Sequence, residues 1–201
     1  MANSAGYAHV GSVEETTDDE IRNQFEANVF GVLKVIRGVL PTMREQKSGV
    51  IINFSSIGGI VASEGGSVYC SSKFAIEALT EGLRDEVKQF GIRVHMIEPG
   101  YFRTNFVSTQ GSGGTSLSRR IDAYRDYNEM FAGAHGNQPG NPEKGMQRLY
   151  ELITLTGMAK GFEDRLRLVI GTDAYNDSLA KVKSLKENIE ACEEIAHSTD
   201  F

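Results

Sequence analysis

The sequence predicts an α/β fold built on a parallel sheet. Two observations carry this reading. Short β-branched runs alternate with longer segments that keep one apolar face. The clearest run, Val50-Ile51-Ile52-Asn53-Phe54, suits a strand buried inside such a sheet.

The elements follow in order. Thr17-Asp18-Asp19-Glu20 has capping-box spacing, with acids in the first turn, and starts the first helix. Ile21, Phe25, Val32, Ile36 and Val39 mark its apolar face; Pro41 falls near its end, and Lys47-Ser48-Gly49 is turn chemistry. After the strand at 50–54, a long helix carries Ile76, Leu79, Leu83, Val87 and Phe90 and stops at Gly91. Residues 92–97 read as the next strand, closed by Pro99-Gly100. The segment 105–120 is rich in Gly, Ser and Thr and is expected to be mobile, its run Gly111-Ser112-Gly113-Gly114 being a flexible loop. Helices are expected near 119–132 and 142–157, a last strand at 165–170, and a charged amphipathic helix from Asp177 to about Ala196.

Composition narrows the function classes. The 201 residues are 40% hydrophobic and 24% charged, enough for one soluble domain over 1–201. The net charge of −6, with no basic cluster longer than Arg119-Arg120, argues against nucleic acid. Cys70 and Cys192 are far apart, which fits neither a disulfide framework nor a zinc site. No run approaches the ~18 apolar residues of a membrane span, and MANSAGYAHVGS lacks the features of a signal peptide. The expected location is cytoplasmic, without membrane attachment.

Tyr69 and Lys73 lie at i and i+4 near a helix start, on one face. A free phenol is a poor base at neutral pH, but a neighbouring ammonium and a helix N-terminus both favour the phenolate. Such a tyrosine can give and take a proton. Such pairs are also common on solvated helix faces, so the surroundings matter. Ser56 lies thirteen residues earlier, directly after the buried-type strand, where α/β sheets bind ligands; its plainer role is a turn serine. Asn28 sits mid-helix, where asparagine competes for backbone bonds. It is either a satisfied core amide or the mark of a distorted helix whose freed carbonyl holds a water.

Tyr69-x-x-x-Lys73, Ser56, Asn28 in "NVFG", "NSAG" at 3–6 and "PGYFRT" at 99–104 together resemble the short-chain dehydrogenase/reductase family over most of residues 3–105. "NPEKG" from Asn141 and "LRLVIGTDA" from Leu166 are similar to its 17-beta-hydroxysteroid-dehydrogenase-like and retinol-dehydrogenase-like branch. The resemblance implies a Rossmann-like, doubly wound parallel sheet and a nicotinamide cofactor, NADP or NAD. It implies Tyr69 as general acid or base, and Lys73 as the group that lowers its pKa and binds the nicotinamide ribose. Ser56 would orient the substrate carbonyl and Asn28 would hold a relay water. Asn3, Ala5 and Gly6 would lie beneath the adenosine side, while the backbone at Pro99, Gly100 and Phe102 and the Thr104 hydroxyl would hold the carboxamide. The helices carrying Asn28 and Tyr69 would form a homodimer interface.

The family's opening strand and Gly-rich pyrophosphate turn have no counterpart in this sequence. By comparison with an ordinary dinucleotide-binding domain, about 80 residues are expected to be missing. The sheet would then be partial, lacking its N-terminal strands, and the chain would read as a fragment of a complete enzyme.

The expected activity is interconversion of a carbonyl and a secondary alcohol on a moderately large apolar substrate. Residues 105–140 would form a substrate lid offering Phe106, Leu117, Ile121, Tyr124, Tyr127, Met130 and Phe131, although half of these equally suit a buried helix face. The alternative is a catalytically impaired chain acting as a non-catalytic interaction partner. A metal-dependent hydrolase has little support, because His9, His95, His135 and His197 are scattered.

Overall fold

The computed structural model describes residues 1–201 except 111, 112, 119, 125 and 128–132. Strands β1 (Ala2–Asn3), β3 (Gly49–Phe54), β4 (Ile92–Pro99) and β6 (Arg167–Ile170) form one sheet in the order β1-β3-β4-β6, with every pair parallel. Ile51, Ile52, Met96 and Ile97 are almost wholly buried. Full burial of such side chains is worth roughly 1.5–3 kcal/mol each.

Helices cover both faces. α1 (Asp18–Phe25) starts at the expected box: the Thr17 hydroxyl accepts the Glu20 N–H at 3.3 Å, and the Glu20 carboxylate accepts the Thr17 N–H at 2.8 Å. A π-helical turn at Glu26–Phe30 joins it to α2 (Gly31–Gln46). The helix runs past Pro41 and ends only at Lys47, whose φ of 51° is left-handed. Val29, Val32 and Ile36 pack with Ile76, Leu83 and Val87 of α3 (Ser67–Val87) against Ile51 and Val94 on one face. On the other, Leu149 and Leu152 of α4 (Pro142–Thr154) cover Ile52 and Ile97. The chain ends in α5 (Thr172–Glu190), beginning five residues before the expected Asp177, and α6 (Glu193–His197). Among the described residues no helix is long and apolar enough to cross a membrane.

Within the segment 105–120, expected as a mobile loop, the described residues include regular structure. Asn105–Val107 is a tight turn, and Thr115–Leu117 is β5, paired parallel with β2 (Ala8–Val10). Composition misses this because the partner strand lies about a hundred residues earlier. The Thr115 hydroxyl donates to the Phe106 carbonyl at 2.7 Å, and both ring nitrogens of His9 meet serine hydroxyls, Ser116 and Ser118, at 3.0 Å. Gly111, Ser112, half of the helix expected near 119–132, and lid candidates Met130 and Phe131 lie outside the described residues, while the described residues 120–124 form turns rather than the expected helix.

Candidate active site

β3 ends at Phe54, and Ser55 N–H donates to Ile97 O at 2.9 Å, holding the two strand ends together. Ser56 then caps the turn Ile57–Gly59, its hydroxyl accepting the Gly58 N–H at 3.0 Å. This turn packs against α3 because Gly59 has no side chain: a Cβ there would stand 2.4 Å from Ser55 Oγ and 2.8 Å from Glu77 Oε1.

α3 brings Tyr69 and Lys73 to the same place. Lys73 is 7% exposed; its ammonium donates to Phe54 O at 2.9 Å and sits 5.9 Å from the centre of the Tyr69 ring. Burial lowers the Lys73 pKa to about 8, with Glu77 pulling the other way. The Tyr69 ring also meets Phe106, with centroids 6.0 Å apart. Burial raises the Tyr69 phenol, opposed by its hydrogen bond to Ser56. Desolvation is the largest influence on this phenol and acts upward.

Asn28 lies in the π-helical turn, so the expected helix distortion is present. Its side-chain oxygen accepts the Tyr7 N–H at 3.1 Å, while its nitrogen donates to Tyr7 O and Ser72 Oγ, both at 3.0 Å. Ser72 in turn donates to Tyr69 O at 2.6 Å, so Asn28 is tied to the helix that carries the tyrosine. Gly6 makes the space: a Cβ there would fall 2.9 Å from Asn28 Oδ1 and 3.8 Å from Lys73 Nζ.

A cavity of about 610 Å³ opens at the carboxyl ends of β3 and β4. Gly6, Ser56, Tyr69, Lys73, Pro99, Gly100, Phe102 and Thr104 all line it, and Val10, Phe106, Val107, Tyr127 and Leu149 supply apolar wall. Three sequence candidates stand elsewhere. Asn28 lies behind the wall, Ala5 is exposed outside it, and Asn3 sits on β1, donating to Asn53 Oδ1 at 2.7 Å. Asn53 continues that buried chain to Thr80 Oγ1 at 3.0 Å. Thr104 is partly spent locally, its hydroxyl accepting the Phe106 N–H at 3.2 Å.

Sequence reasoning missed two supports. Arg167 of β6 pairs with Glu77 and Glu98 through one guanidinium nitrogen, and with Glu81 at 3.2 Å through the other. It thereby ties α3 to the strand end that delivers Pro99 and Gly100. Burial and the adjacent Glu77 push the Glu98 carboxyl up, against the pull of Arg167. The available signal was a charged residue inside the apolar run Met96-Ile97-Glu98. The second support is Glu15, which accepts the N–H groups of Arg120 at 2.9 Å and Ile121 at 3.0 Å. These bonds lower its pKa to about 2 and fasten residues 120–121 to the loop that carries Glu15.

Residues 1–113 match the family model described as short chain dehydrogenase. An uncharacterized oxidoreductase of Bacillus subtilis, YusZ, is 38% identical over 157 residues, which is 77% of this chain and 56% of that protein. The chain thus spans about half the length of the curated relatives it matches. The crystal structure of a short-chain dehydrogenase from Streptomyces avermitilis superposes with a TM-score of 0.86 at 37% identity, covering 100% of this chain and 70% of that one. A short chain dehydrogenase/reductase of Burkholderia phymatum in complex with NAD has the same fold, with a TM-score of 0.75 at 20% identity, covering 94% of this chain and 66% of its own.

Proposed function

The chain belongs to the short-chain dehydrogenase family, and from that premise we propose that its cavity interconverts a carbonyl and a secondary alcohol on a moderately large apolar substrate, with NADP or NAD as cofactor. The observation that carries this is the convergence of Ser56, Tyr69 and Lys73 on one cavity wall. The residues suit the nicotinamide–ribose half of a dinucleotide. Lys73 uses one of its three donors on Phe54 O, leaving others for ribose hydroxyls. The backbone at Pro99, Gly100 and Phe102 lines the same space, and Gly6 keeps side-chain bulk away from Lys73. The Burkholderia phymatum neighbour, which is a complex with NAD, supports a nicotinamide ligand in this fold.

A bound nicotinamide would supply or receive the hydride at the substrate carbon. In reduction, Tyr69 donates its phenolic proton to the carbonyl oxygen; in oxidation, its phenolate takes the hydroxyl proton. Ser56 donates a hydrogen bond to the same oxygen and orients it. The Lys73 ammonium steadies the phenolate, and Asn28, through the distorted turn around it, positions a water that links Lys73 to solvent. Residues 105–140 act as the lid, with Phe106 and Tyr127 against the substrate. A homodimer through the helices of Asn28 and Tyr69 is supported by the exposed Phe30, Val35 and Phe74. The second reading, a non-catalytic interaction partner, is favoured by the solvent-facing apolar stripe on α5.

The test is titration with NADPH and NADH followed by turnover on a panel of apolar ketones, for the parent and Tyr69→Phe. Saturable binding by both, with turnover about 10²–10⁴-fold lower in the variant, supports the enzyme reading. Equal turnover removes Tyr69 from the chemistry. Absence of binding in a folded parent leaves the interaction-partner reading.

A further inference from the structure

Lys73 is a buried cation that meets no acid directly. Its ammonium donates to a neutral carbonyl, Phe54 O, at 2.9 Å, and among the described residues no carboxylate lies within ion-pair distance of it. Burial favours the neutral amine, so an ammonium held here needs a negative charge close by.

Glu77 stands one turn further along α3 and is 6% exposed. Side chains four apart on a helix start about 5–6 Å from each other, close enough for opposite charges to act strongly in a dry interior. Arg167 of β6 holds Glu77 by Oε2, while Oε1 is buried with no hydrogen-bond partner. That oxygen faces the turn after Ser56, where Gly59 leaves room for it. A purely structural clasp has no use for an unpaired carboxylate oxygen, since an amide or an apolar side chain would fill the place at less cost. Nor does Arg167 cancel the charge. It serves Glu77, Glu98 and Glu81 together, and with Glu98 protonated two carboxylates still face one guanidinium. On α3 the other titratable neighbours are Tyr69 and Glu81; β4 brings Glu98 and β6 brings Arg167. Gly6 and Asn28, on the side of the loop between β1 and β2 and of the π-helical turn, are uncharged.

We propose that Glu77 is a positioning residue for the oxidoreduction: its fixed negative charge keeps the Lys73 side chain an ammonium, ready for the cofactor ribose and for the Tyr69 phenolate. The role rests on the oxidoreductase reading; the coupling between Glu77 and Lys73 does not. Because burial already brings Lys73 to about 8, losing the charge of Glu77 would leave the amine largely neutral at physiological pH.

The test is a pH titration of the full chain labelled with carbon-13 at lysine Cε and followed by NMR, the Lys73 signal being the one that Lys73→Met removes. Glu77→Gln keeps the side-chain shape and removes its charge, so Lys73 should lose its proton about one pH unit lower. NADPH should then bind the variant about threefold more weakly than the parent near pH 7.5, and equally well near pH 5.5. Glu81→Gln, which removes a partner of the same Arg167 one turn further from Lys73, should move the titration less. If Glu77→Gln does not fold, Glu77→Gln with Arg167→Met removes both partners of the pair and should displace the titration in the same direction. An unchanged Lys73 titration, an equal displacement in Glu81→Gln, or NADPH affinity that stays parental near pH 7.5 would each overturn the role. A parent that binds no NADPH at either pH would instead count against the oxidoreductase reading, with the coupling still decided by the Lys73 titration.

Discussion

On α3, Ser72, Lys73 and Thr80 are buried polar residues, and each has a partner on another element: Asn28, the Phe54 carbonyl and Asn53. On α5 beyond Lys181, the side chains face solvent and their bonds stay within the helix. Both segments are regular helices of similar length, 21 and 19 residues. The first is fixed by tertiary contacts whose loss strands a buried group; the second rests on local propensity. Mutations should therefore be felt globally in one and only locally in the other.

The largest effect is expected at Asn28. Asn28→Leu leaves the Tyr7 N–H and Ser72 without their buried partner, which should cost about 2–3 kcal/mol in denaturant unfolding. A loss below about 0.5 kcal/mol would put α3 and its neighbours on the same footing as α5. An intermediate effect is expected at Glu98. Its carboxyl is raised, so the fold holds a proton that the unfolded chain has released. That stabilisation is full below the ordinary carboxylate range and fades as pH rises through the raised value. The parent's melting temperature should fall from about pH 5 toward about pH 9 more steeply than that of Glu98→Gln; parallel curves would show that Glu98 is ionised in the fold. The smallest effect belongs to α5. Ser184→Gly should weaken the helix locally by about 0.5–1 kcal/mol, visible in amide exchange, without moving the main melting transition. A shifted main transition would mean that α5 is cooperative with the body.

The same contrast explains what the sequence made legible. Thr17 and Glu20 announce a helix start because capping is settled within four residues. That Ser56, Tyr69 and Lys73 meet at one cavity was readable because they lie on one strand-turn-helix unit. β5 was not readable: Thr115–Leu117 becomes a strand only because Ala8–Val10 lies beside it. Arg167 was missed for a similar reason, since its three carboxylate partners come from α3 and β4. Tyr69 and Lys73 could be paired from their spacing, but the burial that raises the Tyr69 phenol could not be read there. Spacing records proximity along the helix but not the solvent that folding removes.

The π-helical turn at Glu26–Phe30 has an arithmetic consequence. Each residue of an α-helix advances the chain by about 100°, and a π turn behaves as one residue too many in an otherwise regular helix. Deleting one codon within the turn would restore an unbroken helix. Everything before the deletion would then rotate by about 100° relative to α2, moving the α1 contacts away from β2 or the α2 face away from the sheet. The bonds from Asn28 to Tyr7 and Ser72 could not survive in both frames. The turn works as a phase setting written in chain length, and a single in-frame deletion would erase it without removing any residue named in the cavity wall.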